Sequence, residues 1–320
     1  MTIEIPKEKW SGSVRAVTLG ATRDQGGTRA RTLTVGGETA LPYHAFEGTL
    51  PHPPGLALEV HDRRPTDWSP ILIKAWGADM DDPAAWAKAA EAAGADLIYL
   101  TLSATLPDGQ ANTAANARAA LRKVLDATGL PVAVVGPGQA ELDNELIVAA
   151  AEEGKGERLL IGICEEKNYR TLVAAALAND HLVQSKTPMD VNLSKQLVIL
   201  IHDMGLPLER IVIDPTTGSL GYGIEYGYSV MERLRLAALQ GDSMTQQPLI
   251  VTPGEEGWKV KEAKVGEGVP AAWGDWNRRA LEWEALTANA LVYAGADVIV
   301  LRHPDTLRRL RGVVDALRAA

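Results

Sequence analysis

The chain has 320 residues, of which 46% are hydrophobic, enough for a sizeable core in one large α/β domain. A formal charge of −9 excludes the basic stripe that nucleic-acid binders need, and a single cysteine, Cys164, excludes both a disulfide framework and an iron–sulfur cluster held by this chain alone. No apolar stretch approaches the roughly 20 residues of a membrane span, and the opening MTIEIPKEKW does not read as a signal peptide, so a soluble, cytoplasmic protein is expected.

In chain order, residues 1–55 form a piece separate from the rest of the chain. VRAVTLG (14–20) and RTLTVGG (31–37) read as two strands joined by ATRDQGGTRA, and PHPPG (51–55) leads onward. The preferred reading is a β-hairpin plugging the lower mouth of a barrel; the alternative is an arginine-glycine loop that grips an anion or a partner. Eight β-rich runs then recur: LALEV (56–60), DLIYL (96–100), VAVVG (132–136), LLIGI (159–163), LVQSK (182–186), RIVID (210–214), PLIVT (248–252) and DVIVLR (297–302). Alanine-rich stretches of helical period separate them, such as PAAWAKAAEAAG (83–94) and EYGYSVMERLRLAALQG (225–241). Strands apolar on both faces that alternate with helices define a parallel sheet covered by helices, and eight such units favour a closed (β/α)8 barrel over residues 56–320. EAAGADLIYL (91–100) and VYAGADVIVLR (292–302) repeat one helix-end, turn and strand, with Gly94 and Gly295 placed to end their helices.

Function on such a barrel belongs to the loops after the strand C-termini. Two of these are long: 61–82, with Trp68 and Trp76, and 253–277, with Trp258, Trp273 and Trp276. Any one of these indoles is best read as a local core under its own loop. Five of eight tryptophans on two loops of one rim, however, suggest a large partner or flat ligand above the barrel.

IDPTTGSLGYGIEY (213–226) is glycine-rich but contains no lysine or arginine. It lacks the Lys-Ser/Thr of a phosphate loop, has Tyr226 where a dinucleotide fingerprint needs a small residue, and has Glu225 at the start of the following helix. A neutral hydrogen-bonding partner, such as amide side chains on a large apolar ring, suits it better. Asp214 ends its strand and either caps the turn or meets a ligand. Lys186 could form a Schiff base if desolvated, but an ion pair with a nearby carboxylate is its expected fate. Glu59, His61 and His303 also end strands, without the spacing of a metal site. No Ser–His–Asp set or paired carboxylates can be picked out.

LGATRDQGGTRARTLTVGG (19–37), LPYHAFEG (41–48), IVIDPTTGSLGYGIEYGYSVMERLRLAALQGD (211–242), WGD (273–275) and LRHPD (301–305) are long and unusual segments. By them the chain resembles the small (delta) subunit of the corrinoid iron–sulfur protein of the acetyl-CoA decarbonylase/synthase (CO dehydrogenase/acetyl-CoA synthase) system, from about residue 14 to the end. The resemblance implies a (β/α)8 barrel and a non-catalytic subunit. It implies a heterodimer in which a large subunit carries the iron–sulfur cluster and holds the corrinoid (cobalamin) tail. The pair would pass a methyl group from methyl-tetrahydrofolate or a methyl-pterin to acetyl-CoA synthase in the reductive acetyl-CoA pathway, meeting the methyltransferase and acetyl-CoA synthase transiently. The corrinoid would be shared, with no iron–sulfur cluster or metal ligand on this chain. Its expected neighbours are Asp214, Thr216, Thr217, Gly218, Gly221, Tyr222, Gly223 and Tyr226, with Trp68, Trp76, Trp258, Trp273 and Trp276 as lid or partner contacts. Two rival readings are a stand-alone pterin-dependent methyltransferase using Asp214 and Asn192, and a Schiff-base lyase using Lys186.

Overall fold

A computed structural model describes residues 5–319; the first four residues of MTIEIPKEKW and the final Ala320 lie outside them. Two short strands come first, β1 (Val17–Leu19) and β2 (Leu33–Val35). All eight expected runs then form strands of one parallel sheet: β3 (Gly55–His61), β4 (Leu97–Thr101), β5 (Val132–Val135), β6 (Leu160–Cys164), β7 (Leu182–Lys186), β8 (Ile211–Asp214), β9 (Ile250–Val251) and β10 (Val298–Leu301). Their order is β8-β7-β6-β5-β4-β3-β10-β9, and the seam closes where Ile213 N–H donates to the Pro248 carbonyl at 2.9 Å. The result is the (β/α)8 barrel that strand count and alternation require.

PLIVT contributes only two residues to the ladder because its ends are committed elsewhere. Pro248 has no N–H to give, and Thr252 N–H donates to the Thr217 hydroxyl at 2.8 Å instead of to a neighbouring strand. The helices of the barrel wall and its rim are α1 (Pro70–Trp76), α2 (Pro83–Ala92), α3 (Ala114–Ala127), α4 (Ala140–Glu153), α5 (Tyr169–Asn179), α6 (Val191–Asp203), α7 (Ile224–Leu239), α8 (Pro253–Gly257), α9 (Lys261–Lys264), α10 (Trp276–Tyr293) and α11 (Pro304–Ala319). The echoed turns are helix ends of one kind: Gly94 and Gly295 both have φ of 97°, and each is followed by an alanine N–H that reaches back five residues to the helix.

The lower end of the barrel is plugged. Strands β1 and β2 pair antiparallel, and Val17, Leu19 and Val35 pack into one cluster with the inward-facing Ala57, Leu97, Ala133, Leu160 and Val298. The approach is close enough to demand a glycine: a Cβ on Gly55 would lie 2.7 Å from a Leu33 methyl.

The loop between these strands is stapled down by Arg29. Its guanidinium donates to Glu157 (2.9 Å) and to the carbonyls of Leu125 (2.7 Å) and Thr128 (2.8 Å), with both charged side chains buried. Glu157 also accepts from Thr28 N–H and Oγ1, at 3.1 and 2.7 Å. The donors of Arg29 are thus spent on the protein itself, which leaves the plug and not an anion grip as the reading of this residue. Among the described residues no helix is long and apolar enough to cross a membrane.

Candidate functional site at the barrel mouth

Along the barrel strands the outermost inward-facing residues become polar, and at the C-terminal mouth they form two bonded groups. The first is built on Glu59 of β3. Its carboxylate accepts from Arg302 Nε (2.6 Å) and the Thr101 hydroxyl (3.1 Å), and His61 Nε2 lies 2.9 Å away. Burial opposes ionisation of Glu59, but the charges of Arg302 and His61 outweigh it and hold the carboxyl well below the usual range. The second group is a chain across the interior: Tyr99 OH donates to Gln184 Oε1 (3.1 Å), and Gln184 Nε2 donates to Asp214 Oδ2 (2.9 Å). Lys186 Nζ stands 3.8 Å from the same Asp214 oxygen. Above all through that charge, and against the effect of burial, the Lys186 pKa is raised.

Over these groups lies a cavity of about 320 Å³. Its charged lining is balanced, with Glu59, Asp67, Glu165 and Glu255 against Lys186, Lys259, Lys264 and Arg302. Lys186 and Glu165 also line a second cavity of about 280 Å³ running outward between the loops after β6 and β7, with Pro188, Leu193, Leu197 and Leu200 on its apolar side. The two cavities therefore meet at one lysine and one glutamate.

The glycine-rich loop owes its composition to its own folding. Asp214 is fully buried and its Oδ1 accepts from Thr216 N–H at 2.9 Å, so it caps the turn. Thr216 sits at φ 63° and ties to the Thr187 carbonyl at 2.6 Å, while Thr217 receives Thr252 N–H. Gly218 lies against the loop's far arm, where a Cβ would come within 2.4 Å of the Gly223 carbonyl oxygen. Gly221 (φ 75°) and Gly223 (φ 96°) take left-handed conformations, Gly223 as the residue that opens α7. Leu220 is clamped to α10 through its carbonyl, which accepts from Trp283 Nε1 at 3.1 Å. Two side chains project from this frame: Tyr222 is 53% exposed and Tyr226 67% exposed. The Tyr222 hydroxyl donates to Glu262 (3.0 Å) in the short helix α9, whose last residue lines the mouth cavity. Tyr222 thus adjoins the mouth.

The five loop tryptophans divide. Trp68 is buried beneath the Arg302 guanidinium, 4.6 Å from ring centre to carbon, and Trp76 donates from Nε1 to the Arg302 carbonyl at 2.8 Å. Trp258 is buried and stacks on His303 with centroids 6.2 Å apart. Trp276 donates to the Ala263 carbonyl at 2.7 Å and fills the space over Gly266. Trp273 is half-buried beside Arg279, its centroid 5.3 Å from the guanidinium carbon. Three indoles are therefore internal pillars of their loops, and Trp273 and Trp276 retain exposed area on the rim.

The histidines are similarly committed. His61 lies between Glu59, Trp68 and Trp86, and burial, helped by Arg308 and Arg309, pulls the His303 pKa down to about 4. Among the described residues no group of three or more His, Cys, Asp or Glu side chains is placed to hold a metal ion. Sequence reasoning does not single out Arg302, Glu165, Tyr99 or Gln184. The readable sign is a polar residue inside an otherwise apolar strand, as with Gln184 in LVQSK.

Fold and mouth together define a (β/α)8 barrel with a polar C-terminal mouth. The Xanthomonas albilineans dihydropteroate synthase with 4-aminobenzoic acid superposes with a TM-score of 0.59 at 15% identity, covering 96% of this chain and all of that one. The Thermus thermophilus dihydropteroate synthase does so with a TM-score of 0.56 at 16% identity, covering 95% of this chain and all of its own. At that identity the likeness is one of fold alone. The sequence carries the classification further. Residues 16–311 match the family described as CO dehydrogenase/acetyl-CoA synthase delta subunit. The acetyl-CoA decarbonylase/synthase complex subunit delta of Archaeoglobus fulgidus is 36% identical over 97% of this chain and 70% of its own length. That of Methanopyrus kandleri is 38% identical over 92% of this chain and 72% of its own. The chain belongs to this delta-subunit family.

Proposed function

We propose that this chain is the small subunit of a heterodimeric corrinoid iron–sulfur methyl carrier, and that its barrel mouth forms one wall of the corrinoid chamber. The observation that carries the reading is the engagement of the strand-end groups Glu59, Asp214 and Lys186 by their own neighbours. Glu59 is held by Arg302 and His61, Asp214 by Gln184 and the backbone, and Lys186 is kept protonated beside Asp214. Strand-end groups engaged in this way suit containment better than turnover.

The residues fit a corrinoid as a wall and not as a holder of its metal. The lining is balanced in charge, as a broad, neutral, amide-rimmed ring requires, and the exposed rings of Tyr222 and Tyr226 offer flat apolar area on the loop after β8. The remaining members of the loop, Asp214, Thr216, Thr217, Gly218, Gly221 and Gly223, position those tyrosines. The corrinoid, when bound, supplies the cobalt that carries the methyl group between a methylated folate or pterin and acetyl-CoA synthase. The work of this chain is to cover one face and exclude water from it. Iron–sulfur chemistry falls to the large subunit, since one buried cysteine here cannot hold a cluster.

The rival readings lose ground on particular atoms. A pterin-binding enzyme needs a free carboxylate at the mouth, but Asp214 has no exposed surface, and Asn192 lies exposed on α6 among residues absent from the mouth lining. A Schiff-base lyase needs a neutral lysine, and Asp214 raises the Lys186 pKa. The test is co-expression with a candidate large subunit, followed by a visible spectrum of the purified complex. Corrin absorption that requires both chains supports the reading. Methyl transfer by this chain alone from a methyl-pterin to free cobalamin overturns it.

A further inference from the structure

We infer that Lys186 is the anchor for a carboxamide arm of the corrin ring, which enters the cleft where the mouth cavity meets the side cavity. This inference rests on the function proposed above and names a recognition contact within it.

The lysine is placed for such a role by its surroundings. It ends β7, lines both cavities, and is partly exposed, with 22% of its side chain accessible. Its ammonium has three N–H donors, and its single ion-pair contact, Asp214, stands at 3.8 Å, beyond hydrogen-bonding reach. That Asp214 oxygen also accepts from Gln184 at 2.9 Å, which ties the carboxylate into the interior chain and not to the ammonium. The ammonium is therefore a fixed cation with unspent donors facing open space.

The surrounding charges select the acceptor. Glu165 and Glu255 line the same cavity, and Glu256 adds to the negative potential at Lys186. Lys259, which donates to Glu255 at 2.6 Å and Glu256 at 2.9 Å, offsets them, so the lining is close to neutral and suits a neutral acceptor better than a free anion. A primary carboxamide is neutral; its carbonyl can accept from Lys186 while its NH2 donates to Glu165, the other residue shared by both cavities. The side cavity gives the arm's methylenes an apolar wall of Pro188, Leu193 and Leu197.

The experiment measures how tightly this chain associates with its large subunit in two states, loaded with cobinamide and empty, using wild type, Lys186→Met and Lys186→Arg. In wild type, loading tightens association. Lys186→Met is expected to lose about tenfold or more of that gain, the usual worth of one charge-assisted hydrogen bond. Lys186→Arg should retain most of it, and affinity for the empty subunit should be unchanged in both. A Lys186→Met chain that keeps the full gain overturns the inference. So does an equal loss for loaded and empty subunits, which marks a purely structural role. If wild type itself gains nothing from loading, the chamber reading fails, and the anchor with it. Lys186→Gln serves the same comparison if the methionine variant does not fold.

Discussion

The Glu59–Arg302 pair permits a quantitative test of how the mouth is held. Both side chains are buried, and they lie 243 residues apart, so the bond fastens the first barrel strand to the last. Glu59→Gln leaves the guanidinium over Trp68 without its counter-charge and turns an amide N–H toward donors that expect an acceptor. Breaking a buried pair in this way costs about 3–5 kcal/mol. Replacing both partners by apolar residues of similar size, Glu59→Leu with Arg302→Met, removes the desolvated charge as well and should cost no more than about 2 kcal/mol. The double variant is thus expected to be more stable than Glu59→Gln alone, and in a double-mutant cycle it should lose far less than the single variants Glu59→Leu and Arg302→Met added together. Denaturant unfolding at neutral pH, followed by indole fluorescence, provides the assay. The sign with pH is fixed by the depressed pKa of Glu59: its contribution is complete above the usual carboxyl value of 4.5 and fades only as pH falls well below it. A loss under about 1 kcal/mol for Glu59→Gln, or a double variant as unstable as the two single losses combined, would refute the account.

Other contacts lead to expectations of the same kind. Arg29→Met should destabilise the fold by about 3–5 kcal/mol by stranding buried Glu157 beneath the barrel, without altering the association gained on corrinoid loading. His181 is held neutral by burial, its pKa pulled from 6.5 to about 4, so its stabilisation is complete above pH 6.5 and lost as pH falls toward 4; His181→Gln should flatten the measured stability over that window. Asp143 shows the opposite sign: burial raises its pKa from 3.8 to about 6, so stability declines as pH rises across that interval. Asp143→Asn should recover about 1–2 kcal/mol at pH 7 in denaturant titrations. Tyr222→Ala and Tyr226→Ala should leave stability within about 0.5 kcal/mol but weaken association with the corrinoid-loaded large subunit several-fold; unchanged association would remove both from the chamber wall.

The barrel is legible in the sequence because its cause is local: each strand is apolar on both faces, and each is separated from the next by a helical stretch. Even the short β9 reflects a local fact, the missing N–H of Pro248. The mouth is less legible because its partners are far apart in the chain. Glu59 and His61 can be placed at a strand end, but nothing near them announces Arg302, which removes both from the pool of metal ligands. The tryptophans illustrate the same limit. Their loops are identifiable, yet whether an indole faces outward depends on whether a distant carbonyl or ring receives it, as the Arg302 carbonyl receives Trp76 and His303 receives Trp258. The glycine loop is recognisable as unusual for a sound reason, but the close approach its glycines allow at Gly218 is to the loop's own backbone.

That self-contact changes how the loop should be probed. Valine at Gly221 or Gly223 would force a β-branched residue into a left-handed conformation, at a cost of order 1–2 kcal/mol or more, and would move the tyrosines whether or not a ligand rests on them. Loss of corrinoid in such a variant therefore cannot separate a frame from a contact. Trimming the exposed rings leaves the frame intact, and the Lys186 substitutions keep the strand end in place. A barrel whose strand-end charges are paired with one another has a stiff, nearly neutral mouth, and such a surface binds through shape and a few unspent donors. The contribution of this subunit then depends on which donors remain, and at Lys186 the surroundings keep the ammonium charged while leaving it no partner within hydrogen-bonding reach.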